Sequence, residues 1–216
     1  MRPPLLHRWE SVVPGHADLG AELITRWSEP HRHYHDLRHL AETVEALDLL
    51  HPASRLEEIA LWFHDAVHTS TPGTDEHRSA ELAARLLSAA GVTDAEIAEV
   101  VRLVLVTIEH RPASGDLAGA RVSDADLAIL AAEPARYRAS VADLRAEAAS
   151  LDEAAWLAAR RASLADFAVQ RPLFHSPAGN AAWEAAARNN LAAELAEFAT
   201  SVKRSTACPT CPDAGR

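Results

Sequence analysis

The stretch Ser54-Arg-Leu-Glu-Glu-Ile-Ala-Leu-Trp-Phe-His-Asp-Ala-Val67 sets the reading of the chain. Ser54 with Glu57 three residues on is a capping box, in which two side chains satisfy free amide groups of a first helical turn. Leu56, Ile59, Trp62, Phe63 and Val67 then recur at three and four, the stripe of a core-facing helix over 55–69. His64 and Asp65 stand at its buried end, where an imidazole and a carboxylate are costly unless paired, neutralised or bound to an ion. Adjacent helix positions point ~100° apart, so the two can flank one cation pressed against the helix.

The same signals run outward in both directions. Thr93…Glu96, Ser123…Asp126 and Ser150…Glu153 repeat the box, and Asp36 is a further N-cap ahead of Leu37, Leu40, Val44, Leu47 and Leu50. The expected helices are 17–28, 36–50, 55–69, 75–90, 94–110, 124–132, 134–149, 151–170 and 178–202. Alternation of period two is missing, so the fold class is all-α, a bundle of about eight or nine helices. Gly91 is placed as a left-handed cap and 111–120 as the longest interior loop, a candidate lid. With no repeat or linker in between, 1–202 is read as one domain, followed by a disordered tail over 203–216.

Composition narrows the partners. Among 216 residues, 21 Lys and Arg face 31 Asp and Glu, a formal charge of −10. That balance argues against a nucleic-acid polymer, which needs a basic face. No apolar run approaches the ~20 residues of a membrane span, and the start lacks a secretory apolar stretch, so a cytoplasmic protein is expected. Both cysteines, Cys208 and Cys211, lie in the tail; one Cys-x-x-Cys is half a zinc site, and no disulfide framework exists.

Seven of the twelve histidines fall between positions 31 and 68. In Tyr34-His35-Asp36-Leu37-Arg38-His39 the cap at Asp36 puts His35 just before a helix and His39 in its first turn, so both can face one cleft. In Ser123-Asp124-Ala125-Asp126-Leu127 one carboxylate can close a metal site, although either acid also suits a first turn by its charge. The apolar neighbours favour Asp126, and Asp124 stays open as the alternative. Two imidazoles and two carboxylates suit Mn, Fe, Co, Ni or Zn, with Mg also admissible.

Taken jointly, His39, His64-Asp65 and Asp126 resemble the HD superfamily of metal-dependent phosphohydrolases, whose pattern is His, His-Asp and a distant Asp on a helical bundle. The first element is also similar to the Tyr-His-Asn-x-x-His signature of cyclic-nucleotide phosphodiesterases, with Asp36 in place of Asn. The chain resembles more closely a group of small bacterial HD-domain proteins described as metal-dependent phosphohydrolases. The matching stretches are Glu29-Pro-His-Arg-His-Tyr-His35, Trp62-Phe-His-Asp-Ala-Val67, Asp75-Glu-His-Arg-Ser-Ala80, Asp124-Ala-Asp-Leu-Ala-Ile-Leu130 and Glu184-Ala-Ala-Ala-Arg-Asn-Asn-Leu191. His68 stands where that group has Tyr, and Asp75 where it has Asn.

The resemblance implies metal ligands His39, His64, Asp65 and Asp126, with His35 as proton donor. A divalent ion in such a set acidifies a water and polarises a phosphoryl group, and an unligated His35 nearby can protonate the leaving oxygen. Glu76 is the candidate for orienting the water, Arg32 and His68 for touching substrate, and Arg38 is read as a solvated arginine. His31, His33 and His51 are given no role; His110 and His77 are the candidates for holding a second ion. Arg171, Glu184 and Arg188 are read as structural ion pairs. The expected activity is hydrolysis of a phosphate ester or anhydride of a small phosphorylated substrate such as a nucleotide. A silent sensory module that binds metal and a phospho-ligand is the alternative, and a di-iron oxygenase, which needs two further histidines, is a third.

Overall fold

The computed structural model of the chain describes residues 5–71 and 73–206, with side chains as far as 198. The described residues form ten α-helices and one short 3-10 helix, and hold no strand. In chain order the helices are α1 (Leu5–Val12), α2 (Ala17–Trp27), α3 (Leu37–Asp48), α4 (Arg55–Phe63), α5 (Thr74–Ala89) and α6 (Asp94–Val106). There follow α7 (Leu117–Leu127), the 3-10 helix Ala128–Ala131, α8 (Pro134–Glu147), α9 (Glu153–Val169) and α10 (Pro177–Thr206). The all-α reading holds, and no described helix is long and apolar enough to cross a membrane.

The capping boxes at Ser54 and Thr93 form as expected, and Asp36 accepts from the amides of Arg38 and His39 at the start of α3. Gly91, at φ +72°, takes the left-handed conformation that closes α5. Local chemistry, in these places, is sufficient.

α4 lies at the centre, packed against α1, α3, α5, α6 and α7. Ile59, Ala60, Leu61, Trp62 and Phe63 are all fully buried, so the whole circumference and not a single stripe is covered. The helix ends at Phe63 instead of running to 69, with His64 as its C-cap, still helical in its dihedrals and bonded through its amide to Ala60 O, and Asp65 just beyond. Trp9, Leu23, Trp27, Leu40 and Val44 complete this first core, and Leu130, Tyr137, Leu164, Phe174 and Leu191 build a second. The end of α7 and Trp183 touch both.

Four expectations fail for identifiable reasons. α1, which has no counterpart among the expected helices, is too short to be stable alone and is held by tertiary contacts. Trp9 is fully buried against Trp62, its indole donates to His16 O at 2.9 Å, and Arg8 bridges Asp48 and Glu58. The helix expected over 124–132 begins seven residues earlier, because Asp116 caps it by accepting from Gly119 N and is itself clamped by Arg102. Ser123 is therefore a buried mid-helix residue, and the loop expected over 111–120 is helical from Leu117. At α9 the cap is Asp152, accepting from Ala155 N, and not Ser150.

At the C-terminal end α10 continues through 203–206, where the tail was expected to begin. Cys208 and Cys211 lie outside the described residues. Glu184 and Arg188 pair as expected; Glu184 also accepts the amides of Leu173 and Phe174 and so holds the turn before α10. Arg171 instead bonds the carbonyls of Ala168 and Gln170.

Candidate metal centre

Three elements bring the proposed ligands to one point. His39 comes from the first turn of α3, His64 and Asp65 from the end of α4, and Asp126 from the last turn of α7. His39 Nε2 and His64 Nε2 face each other at 3.3 Å, and Asp126 Oδ1 is 3.1 Å from the first and 3.4 Å from the second. Asp65 Oδ2 approaches His64 Nε2 at 3.1 Å and His39 Nε2 at 3.9 Å. Trp27 walls the back, its ring 5.3 Å from that of His64 and its indole donating to Trp62 O.

The donor chemistry fits a cation. His64 Nδ1–H donates to Leu61 O at 2.7 Å, which leaves the Nε2 lone pair turned toward His39 and both carboxylates. Acceptor atoms so close together in a buried place repel one another unless a cation or a shared proton lies among them. Burial opposes charge on His64, yet Asp65 and Asp126 outweigh it and raise its pKa well above the ordinary imidazole value. Burial likewise pushes Asp65 and Asp126 up, but the His64 imidazole dominates both and holds them below the usual carboxylate range. The mixed nitrogen and oxygen set is of the type that takes a first-row divalent ion.

Asp124 is turned the other way. Two residues before Asp126 it points ~200° around the helix, toward α10, where it accepts from His175 N at 2.7 Å and Ser176 N at 2.8 Å and is fully buried. It anchors the start of α10, and the choice left open between the two acids falls to Asp126 on geometry.

His35 sits beside the cluster, its Nε2 3.9 Å from Asp65 Oδ2. Its other nitrogen donates to Glu147 Oε2 at 2.6 Å, and Glu147 Oε1 accepts the backbone amides of His33, Tyr34 and His35, each at 2.8 Å. Burial works against the His35 imidazolium, but Asp65 and Glu147 outweigh it and raise its pKa. Glu147, pushed up by burial, is held well below the ordinary carboxylate range by the hydrogen bond and charge of His35, with the His68 ring nearby. Glu147 ends α8, 112 residues away from His35, in an alanine-rich stretch with no local mark of this role.

No family model matches the chain, and comparison with curated proteins and with solved structures finds no match.

The remaining candidates divide. Glu76 lines the cleft beside Asp65 and His110, and its buried Oε2 has no hydrogen-bond partner. His68 stands behind His35, ring to ring at 4.3 Å; its buried Nε2 has no hydrogen-bond partner, lies 3.5 Å from Glu147 Oε2, and the residue does not line the cleft. Arg32 is not placed to meet substrate: its guanidinium is buried, bonded to the carbonyls of His35, Asp65 and Ala66 and to Glu29, and lies over Trp27. It ties the His35 loop to the Asp65 loop. Arg38 pairs with Asp143 at the surface.

His110 joins the site. Its backbone is left-handed, φ +53°, a conformation costly for a residue with a Cβ, and its Nε2 comes within 3.7 Å of Asp126 Oδ2. Burial lowers its pKa, against the pull of Asp126. His77, the other candidate for a second ion, is exposed. A second convergent set exists instead in His35, His68 and Glu147, whose ligand atoms lie within 4.8 Å of one another.

Proposed function

We propose that the protein is a metal-dependent phosphohydrolase of the HD type that its motifs resemble. The observation carrying this reading is the meeting of His39, His64, Asp65 and Asp126 at one buried point, with a carboxylate-backed His35 3.9 Å from Asp65. A divalent transition ion, when bound, supplies charge stabilisation for the phosphoryl oxygens and an acidified water. His39, His64, Asp65 and Asp126 are the residues that would hold it.

The chain's own residues do the remaining work. Glu76 Oε2, free of any protein partner, accepts a proton from the attacking water. The water oxygen forms the new bond to phosphorus as the bond from phosphorus to the leaving oxygen breaks. His35 Nε2–H gives its proton to that oxygen, and Glu147 fixes the ring orientation and balances the imidazolium charge. Leu127, Ile129 and Leu130 cover one side of the cleft and limit water access.

The test is elemental analysis of the purified protein, with phosphate release measured across several divalent ions. The expected result is activity that requires the ion and is lost in Asp65→Ala. Turnover retained by an ion-loaded Asp65→Ala protein would overturn the reading. The second histidine and carboxylate set favours one further possibility, a two-ion oxygenase on the same scaffold. Oxygen consumption with two ions bound per chain would select it; one ion with phosphate release would exclude it.

A further inference from the structure

The cleft that opens from the metal centre has two ends of different character. Its inner end holds Asp65, Asp126, Glu76, His35 and His110. Farther out the wall is Leu127, Ile129, Leu130, Leu144 and Phe167, closing on Tyr137 and Arg160. The free volume is about 210 Å³. This is below the roughly 300 Å³ at which pockets for drug-sized ligands begin.

Charge is the second constraint. A chain of phosphoryl groups needs several cationic or bidentate donors along its length. The one guanidinium lining this cleft is Arg160, and Glu194 takes its Nε and Nη2 at 2.8 and 2.9 Å. Tyr137 OH donates to the same carboxylate at 2.6 Å. A neighbouring cavity that shares Asp126 and Ile129 contains Arg136, whose Nε and Nη2 go to Glu42 at 2.8 and 2.7 Å while its buried Nη1 has no hydrogen-bond partner, a single free donor and not the row a polyphosphate needs. Arg32, the remaining basic candidate, is committed to backbone carbonyls. Against these neutralised cations stand three carboxylates at the inner end, of which a divalent ion offsets two charges.

We infer that the substrate carries a single phosphoryl group, joined as an ester to a small, uncharged and partly apolar alcohol or phenol, and that polyphosphates are excluded. The phosphoryl group lies at the ionisable end and the apolar body against Leu144 and Phe167. The paired Arg160 and the lone pairs of the Ser140 and Ser163 hydroxyls, whose protons go to Tyr137 O and Ala159 O, are suited to a neutral donor group at the far end, because Glu194 has already cancelled the arginine's charge. Hydrolysis transfers the phosphoryl group to water, and the released alcohol keeps its oxygen and gains the proton from His35. This narrows the phosphohydrolase reading and rests on it.

The experiment measures kcat/KM on the ion-loaded protein for phenyl phosphate, glycerol phosphate, pyrophosphate and adenosine triphosphate, together with calorimetric binding of inorganic phosphate and tripolyphosphate. Phenyl phosphate is expected to exceed adenosine triphosphate and pyrophosphate at least tenfold and glycerol phosphate severalfold, and phosphate is expected to bind more tightly than tripolyphosphate. Ser163→Lys adds an unpaired cation at an exposed position on the cleft wall, and is expected to shift the binding ratio toward tripolyphosphate about tenfold. A triphosphate or glycerol phosphate that equals phenyl phosphate, or a ratio unmoved by Ser163→Lys, would overturn the inference while leaving the hydrolase intact. Release of phosphate from none of the four would overturn the hydrolase reading and the inference with it.

Discussion

Replacing Glu147 separates architecture from chemistry at the site. Its carboxylate, with a side chain only 6 % exposed, holds three backbone amides at 2.8 Å through one oxygen and the His35 ring at 2.6 Å through the other. Glu147→Ala leaves all of these donors without their acceptor. Each such bond to a charged group contributes about 1.5–3 kcal/mol, but His33 is exposed and water can replace part of the set, so the expected cost is about 3–5 kcal/mol. Glu147→Gln keeps a carbonyl oxygen for the three amides and turns an NH₂ toward His35 Nδ1. The ring must then accept at Nδ1, and the charge that balances an imidazolium is gone. Urea unfolding is therefore expected to place Glu147→Gln within about 1 kcal/mol of the parent, while kcat falls 10²–10³-fold, the range of a lost general acid. That fall is about 3–4 kcal/mol of barrier at 1.36 kcal/mol per decade. Because only a poor leaving group needs a proton, the loss should nearly vanish for 4-nitrophenyl phosphate and be full for phenyl phosphate. An equal loss on both esters would refute the assignment of Glu147 and His35 to leaving-group protonation.

Three further outcomes follow from other residues. Asp124 and Asp126 are expected to fail in opposite ways: Asp126→Asn weakens ion binding, with unfolding of the ion-free protein little changed, whereas Asp124→Ala leaves the amides of His175 and Ser176 unpaired and destabilises by about 2–4 kcal/mol. Gly179→Ala should mimic Asp124→Ala, since an added Cβ would fall against Asp124 Oδ2; ion titration and thermal unfolding of the three variants distinguish these. Asp75, which accepts from the amides of Thr69 and Thr71, is held below its ordinary pKa: burial opposes this, and the backbone bonds prevail. A carboxylate lowered in the folded state contributes stability that is full above the unfolded value near 4 and is lost as pH falls through the folded value. The gap in urea midpoint between the parent and Asp75→Asn is thus expected to be constant from pH 7 to 5 and to shrink below pH 4; a gap that widens there would contradict the role.

Most helices could be read from the chain because their signals are local. Ser54 with Glu57, Thr93 with Glu96 and Asp36 cap helices within four residues of themselves, and the apolar stripes of α3 and α4 obey the helical period. Where a cap competed with a stronger one the reading slipped: Ser123 has the right neighbours for an N-cap, but Asp116, clamped by Arg102 from another helix, starts α7 first. The short α1 had too few residues to show a period and depends on Trp9 finding Trp62.

The sequence by itself determined the helical class and the spacing that lets His39, His64 and Asp65 meet at one site, because each sits on or beside a helix, α3 or α4, whose register is set by its own cap and stripe. Only the tertiary structure decided which acid of α7 faces that site, that Arg32 bonds carbonyls instead of substrate, and that Glu147 stands behind His35. Those outcomes depend on how α7, α8 and α10 pack against the central α4. Side chains more than a hundred residues apart, as His35 and Glu147 are, meet through that packing and leave no periodic trace in the chain.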